Sequence, residues 1–303
     1  KVQKIMHISI ILYKFAPKKD LIPMIYTHQK ELHNLLETLK NQGKTIGLVP
    51  TMGALHDGHL SLVKKAKQEN DIVVVSIFVN PTQFNNPTDL QKYPRTLEAD
   101  AQKIAQFSKE IFIFAPTVAD IYGEEVVAEP FDFAGLDKVM EGTSRPGHFD
   151  GVGTIVKKLF EIVMPDRAYF GEKDYQQLLI IQQMVRQKGL PVTIVPCPIV
   201  RNADGLALSS RNALLSESMK QRATIIYSTL LAAKERFATH SPAEVEAWVK
   251  GVFAQQPNFT LEYFTITDAH TLQPITKKEA GKDYRAFIVV HAEGVRLIDN
   301  LAF

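Results

Sequence analysis

The sequence has little of what marks secreted, membrane-bound or nucleic-acid-binding proteins. A single cysteine, Cys197, excludes an internal disulfide and a multi-cysteine metal site, so we expect a buried structural thiol and a reducing, cytoplasmic location. Lysine and arginine number 35 and aspartate and glutamate 33, and this near-balance argues against nucleic-acid and membrane-surface partners. No uninterrupted apolar run reaches the ~18 residues that suggest a membrane span. The hydrophobic share of 45% instead predicts an ordinary globular protein with a sizeable core.

The chain length of 303 residues predicts two domains, since a domain has about 150 residues. Residues 1–23 contain a short apolar run behind lysines, as in a signal peptide, but further lysines follow where a small-residue cleavage site would be expected. Met24 begins a helical pattern. We therefore expect an N-terminal extension over residues 1–23, a first domain over 24–198 and a smaller second domain over 199–303.

The middle of the chain alternates apolar strands with amphipathic helices. A strand at 45–49, a helix at 59–70 and a continuous apolar strand at 71–79 form a βαβ unit, which implies a parallel sheet. The pattern also predicts helices at 26–39, 96–108, 151–164 and 175–188 and strands at 110–115, 167–171 and 192–195. We expect a doubly wound, Rossmann-like α/β sheet with ligands beyond the carboxyl ends of its strands, after residues 49, 79 and 170.

After Val200 the pattern changes to α+β. It predicts one long helix over 216–237 and a second helix that opens with a capping box at 241–244, Ser-Pro-Ala-Glu. Strands are predicted at 260–267, 285–291 and 295–299. Because these strands alternate in polarity, we expect at least one solvated sheet face.

The first segment that carries chemistry lies between a strand and a helix, at residues 50–59. Gly53 and Gly58 allow a ligand to approach the backbone closely, and the following helix offers free amides and a positive dipole end to an anion. His56 and His59 lie at that end, three residues apart, so both imidazoles can reach one bound phosphate. The plain alternative is one capping and one surface histidine. A zinc site is disfavoured because no third ligand is spaced nearby.

Two further segments follow strand ends. At 78–84, Pro81 fixes a turn that leaves Asn80 and Gln83 free to face the ligand, where uncharged amides suit hydroxyl and carboxylate groups. At 169–177, Lys173 can place a positive charge against phosphates, and Gln177 lies one turn into the next helix. Asp174 is either a simple helix N-cap or an acceptor for a ribose hydroxyl.

The fourth segment, residues 200–211, lies at the expected domain junction. Its Ser209, Ser210 and Arg211 offer two hydroxyls and a guanidinium, which suit a polyphosphate. Two common nucleotide-binding patterns are missing, since no Walker-type loop occurs and Gly151-Val-Gly153 lacks the third glycine of a dinucleotide fingerprint.

Together, and in this order, the four segments resemble the pantothenate synthetase (pantoate–β-alanine ligase) family. The sequence His-Asp-Gly-His at 56–59 is similar to the His-x-Gly-His motif of the wider nucleotidyltransferase superfamily, and Leu-Ser-Ser-Arg at 208–211 stands where its second phosphate loop lies. The segments 93–96, 141–149 and 296–300 (Arg-Leu-Ile-Asp-Asn) also match, so the resemblance runs from about residue 24 to residue 300.

The resemblance implies that pantoate attacks ATP to give pantoyl adenylate and pyrophosphate, and that β-alanine then releases AMP and pantothenate. It also implies Mg²⁺ and a homodimer. His59 would donate a proton to the departing pyrophosphate, while Gln83 would hold both pantoate and β-alanine and Gln177 would hold pantoate. Asp100 is a candidate near the metal. The catalytic set would be His56, His59, Lys173, Ser209 and Arg211; ATP would contact Met52, Gly53, Ala54, Leu55, His56, Asp57, Gly58, His59, Gly171, Glu172, Lys173, Asp174, Val200, Leu208, Ser209, Ser210 and Arg211.

Two alternatives remain open at this point. Another adenylyl or cytidylyl transferase of the superfamily would share the phosphate segments but not the two glutamines. A catalytically inactive nucleotide sensor or structural α/β domain would use His56, His59, Lys173 and Arg211 only as capping and surface groups.

Overall fold

The computed structural model describes residues 23–108 and 110–303, so the expected N-terminal extension lies outside the described residues except for Pro23. Within these residues the chain forms a six-stranded sheet with parallel pairings and a three-stranded antiparallel sheet. The expected fold class, a Rossmann-like parallel sheet followed by a smaller α+β region, is confirmed. We call residues 23–198 the six-stranded part and residues 199–303 the three-stranded part.

The six-stranded part alternates strands and helices. Its strands are β1 (Ile25–Tyr26), β2 (Ile46–Thr51), β3 (Ile72–Ile77), β4 (Ile111–Phe114), β5 (Arg167–Gly171) and β6 (Thr193–Cys197). Its helices are α1 (Gln29–Asn41), α2 (Asp57–Glu69), α3 (Pro87–Lys92), α4 (Leu97–Ala105), α5 (Val118–Tyr122), α6 (Met140–Ser144), α7 (His148–Val163) and α8 (Tyr175–Lys188). Short 3₁₀ turns occupy Pro81–Gln83 and Glu172–Asp174.

The strand order places the carboxyl ends of β2 and β5 side by side. The order is β1-β4-β3-β2-β5-β6, so the chain winds in one direction from β2 through β3 to β4 and then crosses to β5 and β6. The direction of winding therefore reverses between β2 and β5, and open α/β sheets bind their ligands at such a point. The segments after β2 and β5 are two of the three that the sequence assigns to phosphate.

Helices cover both faces of this sheet. Leu48 and Val74 pack on one face with residues of α1, α7 and α8, and Val73 and Val75 pack on the other with residues of α2 and α4. This double burial explains why β3 is apolar at nearly every position. Cys197 at the end of β6 is buried as expected, and burial raises the pKa of its thiol to about 11.

The three-stranded part contains helices α9 (Glu217–Arg222), α10 (Ile225–Phe237) and α11 (Pro242–Ala254) and strands β7 (Thr260–Asp268), β8 (Tyr284–Ala292) and β9 (Val295–Ala302). A 3₁₀ turn covers Ser210–Leu214. The predicted capping box at the start of α11 is confirmed, because Ser241 Oγ accepts the Glu244 amide and Glu244 Oε2 accepts the Ser241 amide.

One sequence prediction for this part is wrong. The segment 216–237 forms two helices instead of the single predicted one. The regular α-helical hydrogen bonds stop at Ala223, where the Ile226 amide donates to the Ala223 carbonyl only three residues back. The apolar face continues across this break, which is why periodicity missed it. The central strand β8 is buried along nearly its whole length, and its Phe287 packs into the core of the six-stranded part. The outer strands β7 and β9 alternate buried with partly exposed residues, as the expected solvated sheet face requires.

Within residues 23–108 and 110–303, no helix is long and apolar enough to cross a membrane.

Candidate active site

A cavity of about 610 Å³ opens beyond the carboxyl ends of β2 and β5 and is lined by both parts of the chain. The six-stranded part contributes the segments after β2, β3 and β5. The three-stranded part contributes residues 206–212 and one side of β8 and β9. All four segments that the sequence assigned to chemistry therefore meet at this cavity.

The loop after β2 has an unusual backbone conformation, which side chains from other segments stabilise. Gly53 has φ of 84° and Ala54 has φ of 51°, so a non-glycine residue adopts the left-handed conformation. The buried Asp100 carboxylate accepts the amides of Ala54 and Leu55 at 2.9 and 2.8 Å, and it also accepts the Thr96 hydroxyl at 3.0 Å. These hydrogen bonds fix the loop that leads into α2.

Ser210 reaches the same loop from the three-stranded part. Its hydroxyl donates to the Ala54 carbonyl at 3.1 Å, and the Lys103 ammonium donates to the Leu55 carbonyl at 2.5 Å. The amide and carbonyl groups of both loop residues are therefore bound to side chains. Side chains of α4 and of the segment at Ser210 thus hold the backbone of this loop.

His56 and His59 form a capping box for α2 from two imidazoles. The Gly58 amide donates to His56 Nδ1 at 3.2 Å, and the His56 amide donates to His59 Nδ1 at 3.4 Å. The ring centroids lie 4.1 Å apart. A Cβ at Gly58 would lie 2.8 Å from His56 Cε1, so this arrangement requires glycine there. Both rings therefore cap α2, whereas the plain alternative expected one capping and one surface histidine, and the cap uses only their Nδ1 atoms.

Both histidines are neutral at pH 7 in this structure. Burial, followed by the neighbouring His56 and Lys173, lowers the pKa of His59 to about 3. Burial and then Lys173 lower the pKa of His56 to about 4. A neutral imidazole whose Nδ1 accepts a hydrogen bond carries its proton on Nε2. Each ring therefore offers an N–H donor to an anionic ligand.

The turn after β5 carries Lys173 into the cavity wall. Its side chain is 18% exposed and its ammonium lies 3.8 Å from the Asp174 carboxylate. Asp174 makes no side-chain capping hydrogen bond to α8, so the simple N-cap alternative is wrong. Gln177 lines the cavity one turn later. Its neighbour Gln176 is buried and binds the carbonyls of Leu136 and Val139, so only one of the two adjacent glutamines is available to a substrate.

The segment after β3 places Gln83 on the cavity wall with its carboxamide held at both ends. Asn80 Nδ2 donates to Gln83 Oε1 at 3.1 Å, and Gln83 Nε2 lies 3.0 Å from Met52 Sδ. Asn80 itself is buried at 1% exposure and also binds the Gly151 carbonyl, so it supports Gln83 and does not present its own amide to solvent.

Arg145 and His148 hold the backbone of Gln83. The Gln83 carbonyl accepts from His148 Nδ1 at 2.8 Å and from Arg145 Nη2 at 3.2 Å, and Arg145 Nη1 donates to His148 Nε2 at 3.1 Å. This pattern requires a neutral His148, and burial followed by Arg145 lowers its pKa to about 4. The sequence assigned no role to either residue; their place in a family-like segment is the only signal that could have found them.

Residues 206–212 form the wall from the three-stranded part. Ser209 Oγ accepts the Arg211 amide at 3.3 Å, which starts the 3₁₀ turn at Ser210. The Arg211 guanidinium lies 3.3 Å from the Asp89 carboxylate across the cavity. The side chains of Arg211 and Asp89 are 38% and 44% exposed, so an anionic ligand can reach the pair and replace Asp89 as the partner of Arg211.

Most of the predicted site residues line the cavity, and a few do not. The side chain of Leu55 is in the core, Glu172 pairs with Arg285, and Asp100 is enclosed by its three hydrogen bonds with no part in the cavity wall. Gly53, Ala54 and Asp57 also lie off the wall. The predicted residues that line it are Met52, His56, Gly58, His59, Gln83, Gly171, Lys173, Asp174, Gln177, Val200, Leu208, Ser209, Ser210 and Arg211.

Comparison with known proteins identifies the family of this chain. A profile of the family described as Pantoate-beta-alanine ligase matches residues 24–302. The chain belongs to the pantoate–β-alanine ligase family. It is similar to the pantothenate synthetase of Flavobacterium psychrophilum, with 53% identity over 92% of this chain and 99% of that protein. The pantothenate synthetase of Christiangramia forsetii is 50% identical over 92% of this chain and 98% of that protein.

Solved structures extend the likeness to the fold. The pantothenate synthetase of Thermus thermophilus has a TM-score of 0.83 and 42% identity, and the alignment covers 92% of this chain and 98% of that one. The pantoate–β-alanine ligase of Francisella tularensis, solved with "Beta-gamma ATP and Beta-alanine", has a TM-score of 0.75 and 39% identity over 92% and 97% of the chains. The predicted family and enzyme class are confirmed, and neither rival interpretation of the sequence is needed.

Proposed function

We propose that this pantoate–β-alanine ligase joins pantoate to β-alanine through pantoyl adenylate, with ATP converted to AMP and pyrophosphate. The observation that carries the proposal is the meeting of two imidazole donors, Lys173 and two glutamines at one cavity between β2 and β5. The cations and donors suit a polyphosphate, and the glutamines suit the hydroxyl and carboxylate groups of pantoate. The substrates in the solved Francisella tularensis relative support the same assignment.

In the first step a pantoate carboxylate oxygen attacks the α-phosphorus of ATP. The new bond is carboxylate oxygen to phosphorus, and the bond from phosphorus to the bridging oxygen of pyrophosphate breaks, so its electron pair leaves with pyrophosphate. Two anions must approach each other, and positioned positive charge and N–H donors offset their repulsion. Lys173, the Nε2–H groups of His56 and His59, and Arg211 supply them from three sides of the cavity.

In the second step the β-alanine amine attacks the carbonyl carbon of the adenylate. A carbon–nitrogen bond forms, the carbon–oxygen bond to the phosphate breaks, and AMP leaves with that oxygen, while the nitrogen loses its proton. Gln83 is the residue we assign to both organic substrates and Gln177 the one we assign to pantoate. The support for Gln83 is its fixed carboxamide, which Asn80 and Met52 hold at the cavity wall.

His59 acts as a hydrogen-bond donor to the departing pyrophosphate. Its Nδ1 accepts the His56 amide and burial lowers its pKa to about 3, so a fully protonated ring would have to break that hydrogen bond and raise that pKa substantially. Donation from the neutral Nε2–H requires no such change. We therefore replace the role implied by family resemblance, proton donation, with hydrogen bonding that strengthens as charge develops on the leaving oxygen.

We expect Mg²⁺ to enter this site bound to the phosphates of ATP. Among the described residues no group of three or more His, Cys, Asp or Glu side chains could hold a metal ion. The carboxylate oxygens of Asp100 already accept three hydrogen bonds, so the structure gives its expected metal role no support. Mg²⁺ commonly binds substrate phosphates with few protein ligands. We assign no catalytic step to it beyond entering with ATP.

The remaining expectations stay part of the proposal. We infer a division near residue 198, with the three-stranded part closing over ATP, because each part has a hydrophobic core of its own. A homodimer and a cytoplasmic location are kept from the family resemblance and from the single, buried cysteine. Sedimentation of the purified chain would test the dimer.

Exchange of labelled pyrophosphate into ATP tests the adenylate. We expect exchange with pantoate and Mg²⁺ present and β-alanine absent, followed by AMP release when β-alanine is added. Acids that lack the pantoate hydroxyls should support little exchange, and omission of pantoate should abolish it. A folded, magnesium-replete protein without pantoate-dependent exchange and without AMP release would refute the proposed function.

A further inference from the structure

The closing motif of the family-like sequence, Arg-Leu-Ile-Asp-Asn at 296–300, had no role in the sequence analysis. It forms most of β9, and three of its side chains link distant segments. Arg296 binds the Glu141 carboxylate of the six-stranded part, Asp299 binds Arg201, and Asn300 binds the turn that carries Lys173. The last of these contacts leads directly to the reactive centre.

Asn300 is buried, with 1% of its surface exposed, and all its side-chain groups are used. Its Nδ2 donates to the carbonyls of Glu172 and Lys173 at 3.0 and 2.9 Å. Its Oδ1 accepts from Arg285 Nη1. The orientation of the amide is therefore fixed, because the flipped form would set oxygen against two carbonyls and nitrogen against a guanidinium.

The turn Glu172–Asp174 has few other supports. The residue that precedes it, Gly171, has no side chain that could cap it, and Asp174 makes no side-chain cap for α8. Arg285 adds a contact to the Glu172 carboxylate at 3.3 Å and stacks its guanidinium 3.7 Å from the Tyr175 ring centroid. The turn that presents Lys173 is thus held largely by two residues of the three-stranded part.

The same strand also supports the second cationic segment. Asp299 is 4% exposed, and its carboxylate accepts hydrogen bonds from both terminal nitrogens of Arg201, at 2.6 and 2.9 Å. The backbone amide of Asn300 donates to the same carboxylate at 2.8 Å. Arg201 also donates to the Gly205 carbonyl, in the turn of the hairpin that is closed by the Arg201–Ala207 bridge and leads to Ser209 and Arg211. Asp299 and Asn300, which are adjacent on β9, therefore hold the two segments that carry the phosphate-directed cations Arg211 and Lys173.

We propose that Asn300 is a positioning residue of the ligase, which sets the backbone of Lys173 so that its ammonium meets the phosphates of ATP. The inference rests on the proposed function, because it assumes that Lys173 acts on the nucleotide. Asn300 acts through two carbonyl groups and contributes no reacting atom. The lysine is placed for reaction only while the three-stranded part is docked on the turn.

The substitution Asn300→Asp tests the two donors with almost no change in side-chain size. An aspartate keeps an acceptor for Arg285 but sets a carboxylate oxygen against the carbonyls of Glu172 and Lys173. We expect kcat to fall about tenfold to a hundredfold, since a displacement of about 1 Å at a reacting group has that effect. The KM for pantoate should change far less. Leu301→Ala is the matched control, because Leu301 is the next residue of β9, packs on the core of the three-stranded part and has no side-chain donor for the carbonyls of the turn.

A double-mutant cycle with Lys173→Ala separates positioning from general damage. If Asn300 acts through Lys173, Asn300→Asp has no further effect on the exchange rate in the Lys173→Ala protein. A second readout does not depend on activity. After methylation of lysines with carbon-13 formaldehyde, the signal missing from Lys173→Ala identifies Lys173, and that signal should shift in Asn300→Asp and not in Leu301→Ala.

Unchanged kcat in Asn300→Asp, an undiminished loss in the Lys173→Ala background, or an unshifted Lys173 signal would overturn the inference. Full activity of Lys173→Ala is a different result: it would remove the lysine from the proposed reaction, whereas the shift of its signal would still report whether Asn300 positions it.

Discussion

The Asp100 carboxylate accepts a hydrogen bond from the backbone amide of Ala54 at 2.9 Å, across 46 residues of sequence. Ala54 has φ of 51°, a conformation that alanine rarely adopts, and the next amide, that of Leu55, binds the same carboxylate. A buried carboxylate thus stabilises the strained loop that leads to the two histidines.

Asp100→Asn should damage the loop without changing the use of magnesium. The amide keeps one acceptor and sets an NH₂ group against a backbone donor, so we expect a loss of about 1–3 kcal/mol in the free energy of unfolding. We also expect faster hydrogen exchange over residues 53–57 and a lower kcat. The Mg²⁺ concentration for half-maximal rate, measured at saturating ATP, should stay the same. A raised Mg²⁺ requirement in a protein of unchanged stability would instead restore Asp100 as a metal ligand.

Two substitutions of His59 distinguish its hydrogen-bond role from proton transfer. Glutamine sets an N–H donor near the position of Nε2, whereas asparagine reaches only the position of Nδ1. We expect His59→Ala and His59→Asn to lose about two or more orders of magnitude in exchange rate and His59→Gln to lose much less. Equal loss in the glutamine and asparagine variants, when both melt like the parent, would favour proton transfer.

His148 makes the stability of the chain depend on pH. Its pKa in the fold is about 4, below its ordinary 6.5, so the unfolded chain binds the extra proton first as the pH falls. The contribution of neutral His148 is complete above 6.5 and is lost as the pH falls toward 4. At about pH 5 we expect a loss on the order of 1–2 kcal/mol from this residue.

Urea unfolding of the parent and of His148→Gln at neutral pH and at about pH 5 checks this value. The introduced glutamine does not titrate, so the difference in unfolding free energy between the two conditions should be smaller in the variant. The other buried histidines contribute equally to both proteins and cancel. The same pH dependence in the parent and in the variant would show that protonation of His148 does not lower the free energy of unfolding.

Arg296 and Glu141 form a two-pronged ion pair between the two parts of the chain, with both N–O distances at 2.7 Å. Tyr263 donates to Glu141, whose side chain is only 15% exposed, so removal of the guanidinium leaves this largely buried carboxylate without its cation. The second partner of Arg296, Glu262, is exposed and keeps its contact with His291. We expect Arg296→Ala to cost about 2–3 kcal/mol in the free energy of unfolding.

The pair should also couple energetically. In a cycle of Arg296→Ala, Glu141→Gln and the double variant, the sum of the single losses should exceed the double loss by about 1 kcal/mol or more. Additive losses in urea unfolding would mean that the contact contributes little to docking of the three-stranded part.

The sequence predicted the elements best where local chemistry decides them. The bounds of β5 and α8 agree residue for residue, since a short apolar run and Gly189 mark them. The break between α9 and α10 was missed because the apolar face runs through it. The two-residue strand β1 was missed because so short a segment has no period.

The site was predictable in its residue types and much less so in their supports. His56, His59, Gln83 and Lys173 stand beside strand ends, and the fold brings strand ends together. Their supports come from distant segments: Asn300 lies 127 residues from Lys173 and His148 65 residues from Gln83. Asp100 is a further case, because the family resemblance suggested a role near the metal, whereas its three hydrogen bonds, which the sequence does not reveal, give it a role in holding the loop.

The transfer of oxygen-18 from pantoate to AMP tests the central claim most directly. If a pantoate carboxylate oxygen attacks the α-phosphorus, pantoate labelled in its carboxylate must yield AMP that carries a single labelled oxygen, with the other retained in the amide product. Mass spectrometry of the nucleotide after one turnover measures this. Unlabelled AMP, or label in orthophosphate with ADP as the nucleotide product, would contradict the account.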